Sequence, residues 1–259
     1  MSSEMQVCRE QRNRKINRGV IAAWGFCCLV ASAPPAALAG GLGLGQTRVV
    51  YHEGDTSQSV TLHNAGENVY LIQASVTDKN QSTSTPVFSV LPPVFRLEPD
   101  ADSVVRIVRT GGDLPRDRES VFRLRIGSIE GHKGELPTQL ADKEGVGGTI
   151  SLSIGFSIKV FYRPNGLSMT PEEARSKLTF SHHGNRLVIK NPTPYYLTFA
   201  SLNAGGKVVD VSAGDGMQMV SPYAQTEYSL PGGMKGNRVV WTVITDSGEM
   251  SPEQKGQLN

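Results

Sequence analysis

Two basic residues stand inside segments that are otherwise typical of β-strands. Arg48 lies near the start of Thr47–Tyr51 (TRVVY), and Lys159 lies in Thr149–Pro164 (TISLSIGFSIKVFYRP). A basic residue in a strand most often faces solvent. If the first and last strands of one domain lie close together, however, a guanidinium fork and an ammonium group converge and form a site for a carboxylate. Both interpretations stay open from these residues alone.

Other residue patterns give no support for catalysis or for a bound metal. The histidines are scattered, apart from the pair His182–His183, which precedes Gly184–Asn185 and is typical of a turn. The glycine-rich segment Gly40–Gly45 precedes a predicted strand and opens no helix, so the context of a phosphate-binding loop is missing. The sequence has no G-x-S-x-G motif around a nucleophilic serine. We therefore expect a protein that is not an enzyme and needs no cofactor or metal ion.

The first 39 residues have the composition of a secretory signal peptide. Basic residues between Arg9 and Arg18 precede Gly19–Ala31, an apolar stretch of thirteen residues that is short for a membrane span. Ala37-Leu38-Ala39 then matches the small-residue pattern that signal peptidase cleaves. We expect cleavage after Ala39 and export of the remaining chain; an uncleaved anchor is the alternative.

Removal of this leader changes what charge and cysteine content imply. The leader holds five of the 26 basic and two of the 24 acidic residues, so 21 basic and 22 acidic residues remain, a net charge of about −1. That balance gives no reason to expect a nucleic-acid partner. All three cysteines, Cys8, Cys27 and Cys28, also lie in the leader. The exported chain must therefore be stabilised by its hydrophobic core, without a disulfide.

Residues 40–259 have the pattern of an all-β protein. Short apolar runs alternate with clusters of Gly, Pro, Asn, Asp and Ser at the spacing of a β-sandwich. A short helix is predicted at Thr170–Arg175, where a threonine cap precedes a proline. The prediction is two immunoglobulin-like β-sandwiches, residues 40–163 and 164–259. Their predicted strands are Thr47–His52, Ser59–Asn64, Tyr70–Thr77, Phe88–Leu91, Val94–Glu98, Val104–Arg109, Ser120–Ile129 and Thr149–Tyr162, followed by Lys177–Ser181, Arg186–Lys190, Leu197–Leu202, Val208–Val211, Glu227–Leu230 and Arg238–Thr245.

The strand predicted at 149–162 is long and is apolar at every second position. Strict alternation gives a strand two chemically different faces. The apolar face either covers the core of its own sandwich or is offered in part, from a sheet edge, to another protein. The apolar positions are Ile150, Leu152, Ile154, Phe156, Ile158 and Val160.

Four sequence blocks follow the leader in order: Leu91–Phe95 (LPPVF), Leu114–Phe122 (LPRDRESVF), Ile158–Pro164 (IKVFYRP) and Asn191–Thr198 (NPTPYYLT). With these blocks the chain resembles the PapD-like periplasmic chaperones of the chaperone–usher pathway, which assemble pili and fimbriae on Gram-negative bacteria. The resemblance covers nearly all of the chain after the leader. It implies a boomerang of two immunoglobulin-like domains in the periplasm, with no small-molecule substrate. The implied partners are pilus or fimbrial subunits and the outer-membrane usher.

The resemblance also implies how such a chaperone holds its client. In this family, a long edge strand fills the groove left in a subunit that lacks its last strand, which is called donor-strand complementation. The matching residues here are Ile150, Leu152, Ile154 and Phe156. Side chains alternate between the two faces of a strand, so Lys159 lies on the opposite face from Ile154. A β-bulge near Gly155 would turn either the apolar residues or Lys159 to the other face.

Two further sets of residues match the family. An arginine and a lysine of the family anchor the C-terminal carboxylate of the subunit, and Arg48 and Lys159 stand at the matching positions. Glu119, Arg163 and Asp246 match an inter-domain set of salt bridges, which we expect to be structural.

The class of surface fibre stays open. The loop Glu130–Gly148 is long, as in one branch of the family, but the cysteine pair of that branch is missing. The motifs favour the short-loop branch. The exposed apolar strand also makes a self-capped homodimer plausible.

An exported fimbrial structural subunit or adhesin is the alternative function. Such subunits have a single incomplete sandwich with an alternating N-terminal extension, whereas here the alternating strand ends the first of two sandwiches. A secreted hydrolase or carbohydrate-binding module fits poorly, because acidic residues do not cluster and Trp241 is the only tryptophan after the leader.

Overall fold

A computed structural model describes residues 41–79, 86–131, 153–212 and 218–259 of the chain. Within these ranges the backbone forms two β-sandwiches and one short helix, which confirms the predicted all-β class. The leader and the residues Ile150 and Leu152 lie outside the described ranges, as does most of the loop Glu130–Gly148.

The first sandwich consists of two sheets. Its strands are β1 (Leu42–Leu44), β2 (Arg48–His52), β3 (Gln58–Asn64), β4 (Val69–Thr77), β5 (Phe88–Leu91), β6 (Val94–Leu97), β7 (Ala101–Arg109), β8 (Ser120–Gly131) and β9 (Ser153–Arg163). One sheet has the order β1-β3-β7-β5, and the other has the order β2-β9-β8-β4-β6. The pair β2–β9 is parallel, whereas β9 pairs antiparallel with β8.

The inward faces of these two sheets form one hydrophobic core. Val60 and Ile107 of the four-stranded sheet and Leu124 and Ile126 of the five-stranded sheet are each at most 1% exposed. The alternation of apolar and polar residues along β8 explains this burial, since successive side chains point to opposite faces of a sheet. Each of these strands therefore keeps a second face outside the core.

The second sandwich begins with the helix α1 (Pro171–Ala174). Thr170 caps this helix, and its side chain and that of Glu173 form a reciprocal capping box. The core centres on Trp241, whose ring lies 4.7 Å from that of Phe180 between centroids. The strands are β10 (Thr179–His183), β11 (Arg186–Lys190), β12 (Leu197–Ala204), β13 (Lys207–Val208), β14 (Met219–Val220), β15 (Gln225–Ser229), β16 (Arg238–Val243) and β17 (Gln254–Gln257).

Three observed strands were not predicted from the sequence. Strand β1 forms within the glycine-rich segment and pairs with β3, and β14 and β17 pair with β12 and β16. These strands are two to four residues long and none has enough alternation to be recognised. Their hydrogen bonds come from longer neighbouring strands, so the tertiary structure determines them.

Candidate functional site

The fold brings Arg48 and Lys159 to directly opposite positions on neighbouring strands. β2 and β9 run parallel with Arg48 opposite Lys159, and the register continues to His52 opposite Arg163. Residues directly opposite each other share a face of the sheet. The next pair, Val49 and Val160, is buried in the core, so the two cations lie on the outer face.

Arg48 is partly buried at this position. Its Nη1 donates a hydrogen bond of 3.1 Å to the carbonyl oxygen of Ile244, in the second sandwich. Its guanidinium carbon lies 5.5 Å from the ring centroid of Phe161. Burial lowers the pKa of Arg48, and the nearby charges of Asp246 and Glu119 oppose that shift. The Nε of Arg48 is buried and has no hydrogen-bond partner among the described residues.

Arg48 lines a cleft between the two sandwiches. The cleft has an empty volume of about 360 Å³, which includes space open to solvent. Phe161 and Arg163 line it from the first sandwich, and Tyr196 and residues 243–246 line it from the second. Beside it, Val121 and Phe161 pack against Met219 and Tyr196 in a small apolar cluster that joins the two sandwiches. The wall of this cleft therefore combines apolar contacts with charged groups.

Arg163 links the two sandwiches through two carboxylates. Its Nε donates to Oε1 of Glu119 at 2.8 Å, and its two Nη atoms donate to Asp246 at 2.6 and 2.9 Å. The second oxygen of Glu119 accepts a hydrogen bond of 2.8 Å from the backbone N–H of Tyr196. Arg163 thus contacts both Glu119 and Asp246, the other two residues of the salt-bridge set that the resemblance implied. Tyr196 is a fourth residue of this hydrogen-bonded group. The sequence did not indicate it, because every residue except proline has a backbone N–H and the residue type therefore does not show which one donates.

The two carboxylates differ in their surroundings. The Glu119 side chain is 2% exposed and that of Asp246 is 47% exposed. Burial raises the pKa of Glu119, although the charge of Arg163 opposes the shift. Partial burial of Asp246 acts in the same direction, but the hydrogen bonds and charge of Arg163 outweigh it and hold the pKa of Asp246 below its ordinary value. Arg163 keeps its charge, since the same bonds raise its pKa despite burial.

One side of β9 has a backbone edge without a described strand partner. β2 pairs with residues 159–163 of β9, so in the described ranges no strand lies beside Ser153–Ile158 on that side. Phe156 and Ile158 are half-buried against the core of their own sandwich. Ile154, also half-buried, lies one step farther toward the start of the strand. Of the residues matched to a donor strand, Ile154 and Phe156 are therefore on this edge segment.

The described part of β9 has no β-bulge near Gly155 that would re-aim its side chains. The register between β8 and β9 runs without a shift from Ser120 opposite Tyr162 to Ile129 opposite Ser153. Ile154 and Lys159 therefore lie on opposite faces of the same regular strand.

A third cation, Arg123 on β8, was not singled out from the sequence. Arg123 lies directly opposite Lys159, and its Nε is buried without a hydrogen-bond partner among the described residues. The alternation of apolar and polar residues along β8 predicts only that Arg123 faces away from the core. The pairing of β8 with β9 shows that it lies beside Lys159.

The described ranges contain no group of three or more His, Cys, Asp or Glu side chains placed to hold a metal ion. In the same ranges, no helix is both long and apolar enough to cross a membrane.

Two family models match the chain one after the other. A model described as "Pili and flagellar-assembly chaperone, PapD N-terminal domain" matches residues 41–168. A second, described as "Pili assembly chaperone PapD, C-terminal domain", matches residues 173–255. Together they cover most of the chain and both of its sandwiches.

Individual proteins show the same similarity. The probable fimbrial chaperone ElfD of Escherichia coli K12 is 35% identical over 226 residues, which are 87% of this chain and 90% of that relative. The chaperone FocC of Escherichia coli is 33% identical over 219 residues, 83% of this chain and 89% of the relative.

Solved structures agree with these relatives. The Escherichia coli chaperone DraB has 34% identity and a TM-score of 0.72, over 85% of this chain and 97% of its own. The chaperone SafB of Salmonella enterica, solved in complex with the SafA pilin, has 35% identity, a TM-score of 0.72 and the same coverage.

Proposed function

Because this chain belongs to the PapD family of pilus-assembly chaperones, we propose that it caps pilus or fimbrial subunits by donor-strand complementation. The observation that carries the proposal is the position of Arg48 and Lys159, side by side at the end of the edge of β9 that has no strand partner among the described residues. A subunit strand that continues the line of β2 along this edge would end beside the two cations. Its C-terminal carboxylate would then lie between a guanidinium and an ammonium group.

The main chain of β9 supplies the first part of the binding energy. An open strand edge offers unpaired N–H and C=O groups, and an added strand satisfies them. The sequence predicts that the strand of β9 begins before Ser153 and includes Ile150 and Leu152. The same edge would favour self-association of the free chain, so light scattering of the purified protein tests for a self-capped homodimer.

Apolar side chains supply the second part. Phe156 and Ile158 already pack against the core of the first sandwich. We therefore assign the groove-filling role chiefly to Ile154, Ile150 and Leu152, with Phe156 at the boundary. Each such side chain contributes roughly 1.5–3 kcal/mol when it is fully buried, before the cost of ordering the complex.

Co-purification from the periplasm tests this function. The fimbrial subunit encoded beside the chaperone gene is expressed with the wild-type chain, with Lys159→Ala and with Ile154→Asp. We expect a soluble one-to-one complex for the wild type and loss of the complex for both variants. Ile154 lies at the margin of the core, so aspartate there should leave the sandwich folded.

Val208→Asp provides the matched control, because Val208 is an apolar residue that is 75% exposed in the second sandwich. This variant should retain the subunit. Circular dichroism must show that every variant is folded. Folded variants of Lys159 and Ile154 that retain the subunit at the wild-type level would contradict the proposal.

We further propose that the leader is removed after Ala39 and that the chain acts in the periplasm, where it delivers subunits to the outer-membrane usher. The proposed activity is binding, without catalysis and without a cofactor. Mass spectrometry of the periplasmic protein should identify Gly40 as its first residue; a chain that retains the leader would refute the cleavage site.

A further inference from the structure

Three buried polar side-chain atoms have no hydrogen-bond partner in the described part of the chain, and all three lie on one line across a sheet. They are Nε of Arg48, Nε of Arg123 and Oγ1 of Thr77. Arg48 is opposite Lys159, Lys159 is opposite Arg123, and Arg123 is opposite Thr77, on β2, β9, β8 and β4 in turn. We call Arg48, Lys159 and Arg123 the cation row.

The cation row lies on the outer face of the five-stranded sheet. The neighbouring line of residues, Val49, Val160 and Phe122, is buried in the core of the first sandwich. Successive residues of a strand point to opposite faces, so the row faces away from that core. Val121 and Phe161 lie on the same outer face and contact the second sandwich. The row therefore continues the wall of the cleft described above.

The Nε atoms of Arg48 and Arg123 are both unsatisfied among the described residues. Buried donors without partners add a desolvation cost. The carboxylates whose charges act on Arg48 are Asp246 and Glu119, and both hold Arg163. An incoming anion that accepts hydrogen bonds from the Nε atoms of Arg48 and Arg123 would remove that cost.

We propose that Arg123 is a third cation of the site for the C-terminal carboxylate of the subunit, an assignment that rests on the proposed function. A carboxylate has two oxygens and about four acceptor positions, so it can accept hydrogen bonds from an ammonium group and from guanidinium groups on either side of it. Lys159 occupies the middle of the row, and the two arginines flank it one strand away on each side. The client of this chain is thus held by three charges.

Arg125 provides a matched control on the same strand. It lies two residues from Arg123 on the same outer face, but it is exposed and lies opposite Ser157 and Ser75. If general positive charge on this face attracts the subunit, Arg123 and Arg125 should matter equally. If the row binds one carboxylate, only Arg123 should matter.

The test measures binding of two synthetic peptides that match the C-terminal strand of the subunit, one with a free carboxylate and one with a carboxamide. The wild-type chain should prefer the carboxylate peptide. Arg123→Met should reduce that preference by roughly tenfold, the loss expected for one charged hydrogen-bond donor. Arg125→Met should stay within about twofold of wild type, because an exposed charge contributes little. Arg123→Lys, which keeps the charge and loses the fork, should lie between them.

The stability of the variants tests whether Arg123 has a merely structural role. Arg123→Met removes a buried donor that has no hydrogen-bond partner among the described residues, so it should be at least as resistant to urea as wild type. A marked loss of stability in both Arg123→Met and Arg123→Lys would overturn the assignment.

Lys159→Ala separates this inference from the proposed function. If Lys159→Ala abolishes the preference for the carboxylate while Arg123→Met binds like Arg125→Met, the third-cation assignment is wrong and the anchor stands. If Lys159→Ala also keeps the full preference, the anchor itself fails, and the assignment of Arg123 fails with it.

Discussion

Replacing Glu119 with glutamine tests whether the bridge between the two sandwiches depends on a buried charge. Glu119 presents one oxygen to Arg163 and the other to the backbone N–H of Tyr196, each at 2.8 Å. Glutamine has nearly the same shape but carries one acceptor oxygen and one amide donor. Whichever way the amide is turned, one of the two donors faces another donor.

The expected cost follows from the burial of the pair. Removing one partner of a buried ion pair typically costs about 3–5 kcal/mol. Two features reduce that cost here: Arg163 keeps two hydrogen bonds to Asp246, and burial already raises the pKa of Glu119. We therefore expect Glu119→Gln to lower the free energy of unfolding by about 2 kcal/mol at neutral pH. Asp246→Asn should cost about 0.5–1 kcal/mol, because its side chain is 47% exposed and solvent screens it.

Urea unfolding of the chain without its first 39 residues measures both changes. Trp241, which is 1% exposed, is then the only tryptophan, so its fluorescence reports on the second sandwich while far-ultraviolet circular dichroism reports on both. Loss of the bridge should also separate the two signals into distinct transitions. Equal costs for Glu119→Gln and Asp246→Asn, or costs below about 0.5 kcal/mol for both, would refute the argument from burial.

Two more predictions concern pH and a turn. The pKa of Asp246 is held below its ordinary value, so its stabilising contribution is present above the ordinary aspartate range and is lost as the pH falls through the folded pKa. The difference in urea midpoint between wild type and Asp246→Asn should therefore shrink as the pH is lowered below the ordinary aspartate range; a difference that grows in acid would contradict this sign. Gly205 and Gly206 have φ values of +55° and +76°, but a Cβ on Gly205 would lie 2.7 Å from Cβ of Met234, whereas a Cβ on Gly206 meets open space. Gly205→Ala should accordingly be less stable than Gly206→Ala by about 1–3 kcal/mol in urea unfolding, and equal midpoints would show that the turn relaxes.

Much of the architecture could be predicted from local sequence pattern. Alternation along Ser120–Ile129 predicted a strand with one buried face, and β8 occupies Ser120–Gly131. Thr170 before Pro171 predicted the start of a helix, and the cap is present. These features depend on residues a few positions apart, so their physical causes are contained in the sequence itself.

Local pattern did not predict the short strands. β17 is polar (QKGQ) and shows no alternation of apolar residues. Its place depends on β16 and on Trp241, whose ring approaches so closely that a Cβ on Gly256 would lie 3.1 Å from it. A segment that is held by hydrogen bonds to a neighbouring strand can form a strand without any apolar alternation in its own sequence.

The residue pattern was sufficient to predict the fold class, the long strands and two unusual strand cations. The pairing of the strands was needed to show that Arg48 lies directly opposite Lys159, that Arg123 extends the row, and that no bulge interrupts β9. It was also needed to show that Arg163 contacts carboxylates 44 and 83 residues away in the chain. The physical reason is register: alternation fixes which face a side chain occupies, but the hydrogen bonds between distant strands fix which side chains meet on that face.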